Sequence, residues 1–73
     1  MVTATDINLT RIVRTYGKDD AGQTVPAYEI HFMIRGDGDY IAVVPIQRYT
    51  AQNAQTAIYK VAEPIIQTLD MFK

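Results

Sequence analysis

His31 is the only histidine in a chain of 73 residues that contains neither cysteine nor serine. An imidazole acts as a general acid or base when a second group orients it and a nucleophile or substrate lies within reach. Nothing near His31 in the sequence completes such a set, so its expected role is that of a partly buried strand residue. No catalytic residue is assigned, and the chain is not read as an enzyme. The other stretch that could carry chemistry is "IRGDGDYI", residues 34 to 41. Arg35-Gly36-Asp37 spells the adhesion tripeptide, and Asp37-Gly38-Asp39 is a fragment of a calcium loop. A calcium-binding loop of the helix-loop-helix type needs twelve residues with ligands at alternate positions and a closing glutamate. Here two carboxylates are followed by Tyr40 and an apolar run. The second acidic pair, Asp19-Asp20, belongs to a different turn. Without cysteine, thiolate metal sites and disulfides are excluded, and one histidine cannot build a histidine-rich site. No metal and no cofactor are expected. What remains of "IRGDGDYI" is a hairpin turn between apolar segments.

The charges are nearly balanced, with seven Lys plus Arg against eight Asp plus Glu. Such a chain has no field to draw in a phosphate backbone. The first six residues, MVTATD, lack the basic region and apolar stretch of a secretion signal. That absence also removes the context for an adhesion tripeptide. The longest apolar run, Ile41 to Ile46, is too short to cross a bilayer. A cytoplasmic protein without membrane contact is the expectation. The length fits one domain spanning residues 1–73. A domain this small buries only about 60–65% of the surface it exposes when unfolded. With no disulfide or metal available, oligomerisation is the stabilising device left open.

Four segments carry a period. "DINLTRIVRTY", residues 6 to 16, alternates with Ile7, Leu9 and Val13 on one face and Ile12 and Arg14 on the other. Arg11 falls among the apolar residues, where it would snorkel or pair with a helix carboxylate such as Glu63 or Asp70. "AYEIHFMIR", residues 27 to 35, sets Tyr28, Ile30, Phe32 and Ile34 against Glu29, His31 and Met33. "YIAVVPI", residues 40 to 46, is apolar on both faces. From Thr50, a suitable N-cap, the spacing of Ala54, Ala57, Ile58, Val61, Ile65, Leu69 and Phe72 becomes helical. Pro64 interrupts that helix and predicts a kink there, because it removes the amide that would bond the carbonyl of Lys60. The predicted fold is α+β: a three-stranded antiparallel meander, order 1-2-3, packed on one C-terminal helix.

Registers follow from matching apolar and charged residues across strands. A tip at Ala21-Gly22 pairs Val13 with Ile30, Leu9 with Ile34 and Arg14 with Glu29. A three-residue loop Gly36-Asp37-Gly38 pairs Ile34 with Tyr40, Phe32 with Ala42 and Ile30 with Val44, and sets Arg35 opposite Asp39. One sheet face then meets the helix. The other carries Ile12, Met33, Ile41 and Val43, with Arg14 and Glu29 as a polar pair; the single helix cannot cover it, and only strand twist and the N-terminal residues are left to do so. A contiguous apolar patch of this kind marks an interaction site. The expected function is therefore that of a small structural or regulatory subunit that self-associates, with a second copy or another protein as partner.

Nucleic-acid binding is the alternative. The layout of three strands and a helix resembles, in plan only, some DNA-binding domains that read the major groove with a sheet. It also resembles the end of double-stranded RNA-binding domains. Their lysine cluster at the start of the last helix is missing here, where the sequence reads "YTAQNAQTAIYK". Arg11, Arg14, Arg35 and Arg48 are too few and too scattered for a strong phosphate track. Tyr59 and Gln55, four apart on the helix, read as a recognition surface, since tyrosine supplies large amphipathic area, or as a solvated face, the commoner case. The compact plan suits accessory proteins of bacterial or phage origin.

Overall fold

The computed structural model describes residues 4–72; Met1 to Thr3, part of the stretch read for a secretion signal, lie outside the described residues, as does Lys73. A 3-10 turn, Ala4–Asp6, leads into strands β1 (Ile7–Lys18), β2 (Thr24–Ile34) and β3 (Asp37–Pro45). A second 3-10 turn, Ile46–Arg48, precedes helix α1 (Ala51–Met71). The strands form one antiparallel sheet in the order β1-β2-β3. This is the α+β meander and C-terminal helix that the periodicities predict. Among the described residues no helix is long and apolar enough to cross a membrane.

Both hairpin turns differ from expectation, and each does so through a glycine. The first turn has three loop residues, Asp20-Ala21-Gly22. Gly22 is left-handed at φ +79° and donates its amide to the Asp19 carbonyl at 3.0 Å. The Asp19 carboxylate accepts from the amides of Ala21 and Gln23, which fixes the turn locally. The second turn has two loop residues, Arg35 and Gly36, both at positive φ (53° and 76°). That is the mirror-image turn whose twist matches a hairpin. The adhesion-like tripeptide is thus split between a turn and the start of β3.

Two bulges then decide which side chains are buried. In β1 the register shifts between Leu9 and Arg11, with Thr10 as the extra residue. Leu9 pairs with Phe32 and keeps the expected face, but beyond the bulge Ile12 pairs with Ile30, Val13 with Glu29 and Arg14 with Tyr28. The expected Val13–Ile30 and Arg14–Glu29 pairs are therefore replaced. Arg11 leaves the helix side and sits beside His31, so the bulge spares the core an inward cation. In β3 the shift lies opposite Met33, at Gly38-Asp39. A two-residue turn alone would have put Ile41 and Val43 against the helix. The extra residue restores Ala42 and Val44 to that side, opposite Ile30 and Tyr28.

The core joins Ile30, Phe32 and Ile34 of β2, Ala42 and Val44 of β3, and Ala54, Ile58, Ala62 and Ile66 of α1. The helix buries every fourth residue, a row that includes Ala62 and Ile66 where the expected stripe ran to Leu69 and Phe72. Those two are exposed. Alanines at 54 and 62 let the helix lie close to the sheet; Ala54 belongs to the expected stripe and Ala62 does not. Thr50 caps the helix as expected, its hydroxyl oxygen accepting from the Asn53 amide at 3.0 Å. The helix is continuous through Pro64. Pro64 and Lys60 are both exposed, so the carbonyl that loses its amide partner lies where water can bond it. Tyr28 meets Tyr49 edge-on at 4.9 Å between ring centroids, and Phe32 lies 5.8 Å from Tyr40.

Arg35 ties three elements together. Its guanidinium donates to Asp70 at 2.9 Å and to Asp6 at 3.1 Å, and its amide donates to the Asp6 carbonyl. Those contacts hold a non-glycine residue in a left-handed conformation. The bond to Asp70, and then that to Asp6, raise the pKa of the guanidinium above its ordinary value. The expected Arg35–Asp39 pair does not form, and Asp70 serves Arg35 rather than Arg11.

Gly38 is the position where sequence and geometry are most tightly bound. It has φ +80°, and a Cβ there would lie 2.5 Å from the Tyr40 ring, which Phe32 flanks. Gly22 has the same backbone conformation with open space around it. Gly22→Ala is expected to lose about 1–2 kcal/mol from the left-handed backbone alone. Gly38→Ala should lose measurably more, because the ring must also move. Urea unfolding of both variants checks this; equal losses would show that Tyr40 yields freely.

Candidate functional site

The sheet face away from the helix is a trough rather than a plane. Its rungs read Arg11–His31–Ile41 and Val13–Glu29–Val43 across the three strands. At one end the sheet curls. A Cβ on Gly17 of β1 would lie 3.1 Å from Val43 Cγ1 of β3 and 3.3 Å from the Ala27 Cβ of β2. Only glycine lets the outer strands approach so closely. The curl buries Ala27 and leaves His31 just 5% exposed, while Ile41 and Val43 on the rim remain 43% and 45% exposed. Strand twist therefore covers the floor of the expected patch but not its rim.

The face holds Met33, Ile41, Val43 and Glu29 as the sequence predicts. It does not hold Ile12 or Arg14, which the β1 bulge turns to the helix side; Val13 and Arg11 stand in their places. Glu29 is instead engaged by His31, whose Nε2 lies 3.0 Å from Glu29 Oε2. Nε2 then carries the hydrogen, since an ionised carboxylate only accepts. Nδ1 has no hydrogen-bond partner, and Asp39 Oδ1 is 3.7 Å away. No group of three or more potential ligands able to hold a metal occurs among the described residues. His31 is thus a floor residue of the trough, set between two carboxylates.

A second exposed region was not legible in the sequence. The helix lies on β2 and β3, and β1 projects beyond it. On the helix side of β1, Leu9 is 60%, Ile12 51% and Tyr16 73% exposed. Between β1 and the start of the helix runs an apolar cleft of about 370 Å³, lined by Ile7, Leu9, Tyr49, Ala54, Ile58 and Tyr59 among others. Gln55, whose amide donates to the Tyr59 hydroxyl at 3.3 Å, also lines it. These two residues border the cleft instead of forming a separate solvated face.

The four arginines of the nucleic-acid alternative do not act together. Arg35 is held by Asp6 and Asp70, and Arg48 pairs with Asp20 at 2.5 Å. Arg11 and Arg14 are exposed on β1 and on opposite faces of it. Comparison with protein-family models, curated proteins and solved structures finds no match to this chain.

A buried imidazole with one nitrogen unsatisfied adds little net stability, because its desolvation offsets the single bond to Glu29. His31→Leu is accordingly expected to change stability by no more than about 1 kcal/mol, or to raise it. Thermal or urea unfolding measures this. A loss several times larger would mean that the Glu29–His31–Asp39 group holds the trough together.

Proposed function

We propose that this chain is a non-enzymatic interaction protein that self-associates through the sheet face its helix leaves uncovered. The observation that carries the reading is the exposed aliphatic rim, Ile41 and Val43 on β3, with Val13 on β1 across the trough. A small domain that leaves such residues partly in water gains by burying them; covering the remaining exposed part of each contributes about 1 kcal/mol. The charges on this face favour a second copy as the cover. Arg11 stands on one outer strand and Asp39 at the start of the other, flanking His31. A two-fold axis through the trough sets each against its opposite on the partner. Met33 and Glu29 lie within the same face and complete the contact. The sole imidazole is committed to the floor of the trough, which supports a binding role over a catalytic one.

In solution the chain should run as a dimer or larger species at micromolar concentrations and dissociate on dilution, as read by light scattering. Val43→Glu is expected to yield a monomer with its helix content intact in circular dichroism, because Val43 lies outside the core. A parent chain that stays monomeric at high micromolar concentration overturns the reading. So does a Val43→Glu variant that associates as the parent does.

A further inference from the structure

We infer that the outer edge of β1, with the apolar cleft beside it, is a docking site for an extended acidic segment of a partner protein, bound as a fourth strand. The site shares Arg11 with the face proposed for self-association and otherwise lies apart from it, and the inference does not depend on that reading.

The backbone comes first. β1 is a twelve-residue strand that pairs on one side only, with β2. Its other side presents a row of amides and carbonyls, the template to which an extended chain adds. Edge strands of this length are ordinarily shielded by a covering element or by inward charge, and here the bulge has turned Arg11 outward and the helix lies elsewhere. The side chains come second. β1 carries Arg11, Arg14 and Lys18 and no acidic residue, in a chain whose net charge is −1. Arg11 and Arg14 make no hydrogen bond or ion pair within the described residues, whereas Arg35 and Arg48 are both engaged by aspartates.

Those charges decide the occupant. Two β1 strands laid against each other would set only cations along the seam, with no acid on either strand to offset them, and like charges across a strand pair are destabilising. A second copy is therefore a poor fourth strand. A segment with acids facing Arg11 on one side and Arg14 and Lys18 on the other, and with aliphatic or aromatic residues between, meets every feature of the edge. Its apolar side chains on the helix side cover Leu9, Ile12 and Tyr16, and one of them can enter the cleft at Tyr49 and Tyr59. A nucleic acid would also find cations here, but the aliphatic residues between them and the unpaired backbone favour a peptide.

The test uses the full chain, labelled with nitrogen-15, and three probes: a short peptide repeating Glu-Glu-Val-Tyr, which places acidic and apolar side chains on each face of an extended strand, the same peptide with Lys for Glu, and an oligothymidylate. The acidic peptide is expected to bind, to weaken with added salt, and to shift the amide signals of β1 and of residues 49 to 59 selectively. The double variant Arg11→Glu, Arg14→Glu should bind it at least about tenfold less tightly, with an unchanged circular dichroism spectrum because both positions are exposed. N-methylation of alternate amides of the peptide should abolish binding, since it removes the main-chain bonds. The inference is overturned if the acidic peptide binds no better than the lysine peptide, or if the oligothymidylate alone binds. It is likewise overturned if the N-methylated peptide binds equally, or if the shifts fall on β3 and the trough.

Discussion

A single helix is too narrow to cover this sheet, and the rest of the structure follows from that mismatch. With its side chains a helix is about 10–12 Å across, while strands lie roughly 4.8 Å apart and each contributes side chains to two faces. The helix settles over β2 and β3, the strands that precede it in the chain, and buries four residues in a row against them. β1 is joined to the sheet by its backbone ladder, and most of its side chains stay in water. Among the described residues, one sheet face and one strand are left without a covering element. The molecule therefore has a compact core at one side and an exposed, partly apolar flank at the other, and its principal dimensions of 41 by 23 by 19 Å reflect the long first hairpin.

Local devices manage the exposed parts. The bulge at Thr10 turns Arg11 away from the helix side and brings Ile12 to it. Gly17 allows β1 and β3 to close over Ala27 and His31, so that the uncovered face becomes a trough with a buried floor. Arg35 joins the second turn to the start of β1 and the end of the helix through Asp6 and Asp70. That clamp sets where the helix ends over the sheet, although its groups are exposed enough that water screens much of its strength. The same chain thus has two surfaces of different character: a trough with both charge signs and a strand edge with cations only.

The sequence revealed the elements, their order and the face of β2 and β3 that meets the helix, because alternation over many residues and helical spacing after Thr50 are strong, redundant signals. The third strand came out on the correct face by a compensation. Its pairings are offset from expectation by two residues, an even number, after a shorter turn and a bulge cancel. For β1 the offset beyond Thr10 is odd, so Ile12, Val13, Arg14 and Arg11 all change sides. A single extra residue reverses a face, and the sequence has no glycine or proline at Thr10 to mark it. The exposed flank was hidden for a different reason. Whether a helix lies over strands one and two or over two and three depends on which row it buries, and that row runs through Ala62 and Ile66 in place of Val61 and Ile65, one position round the helix from the expected stripe.

The central claim is that β1 stands outside the core with a free edge. Amide hydrogen exchange, followed residue by residue in dilute solution, tests it most directly. The amides of β2, bonded on both sides of the sheet and beneath the helix, should exchange slowest. Those β1 amides that do not bond to β2 should exchange at rates near those of an unstructured chain. Slow exchange of the outward β1 amides, comparable to that of β2, would contradict the account, because it would mean that the edge is already covered.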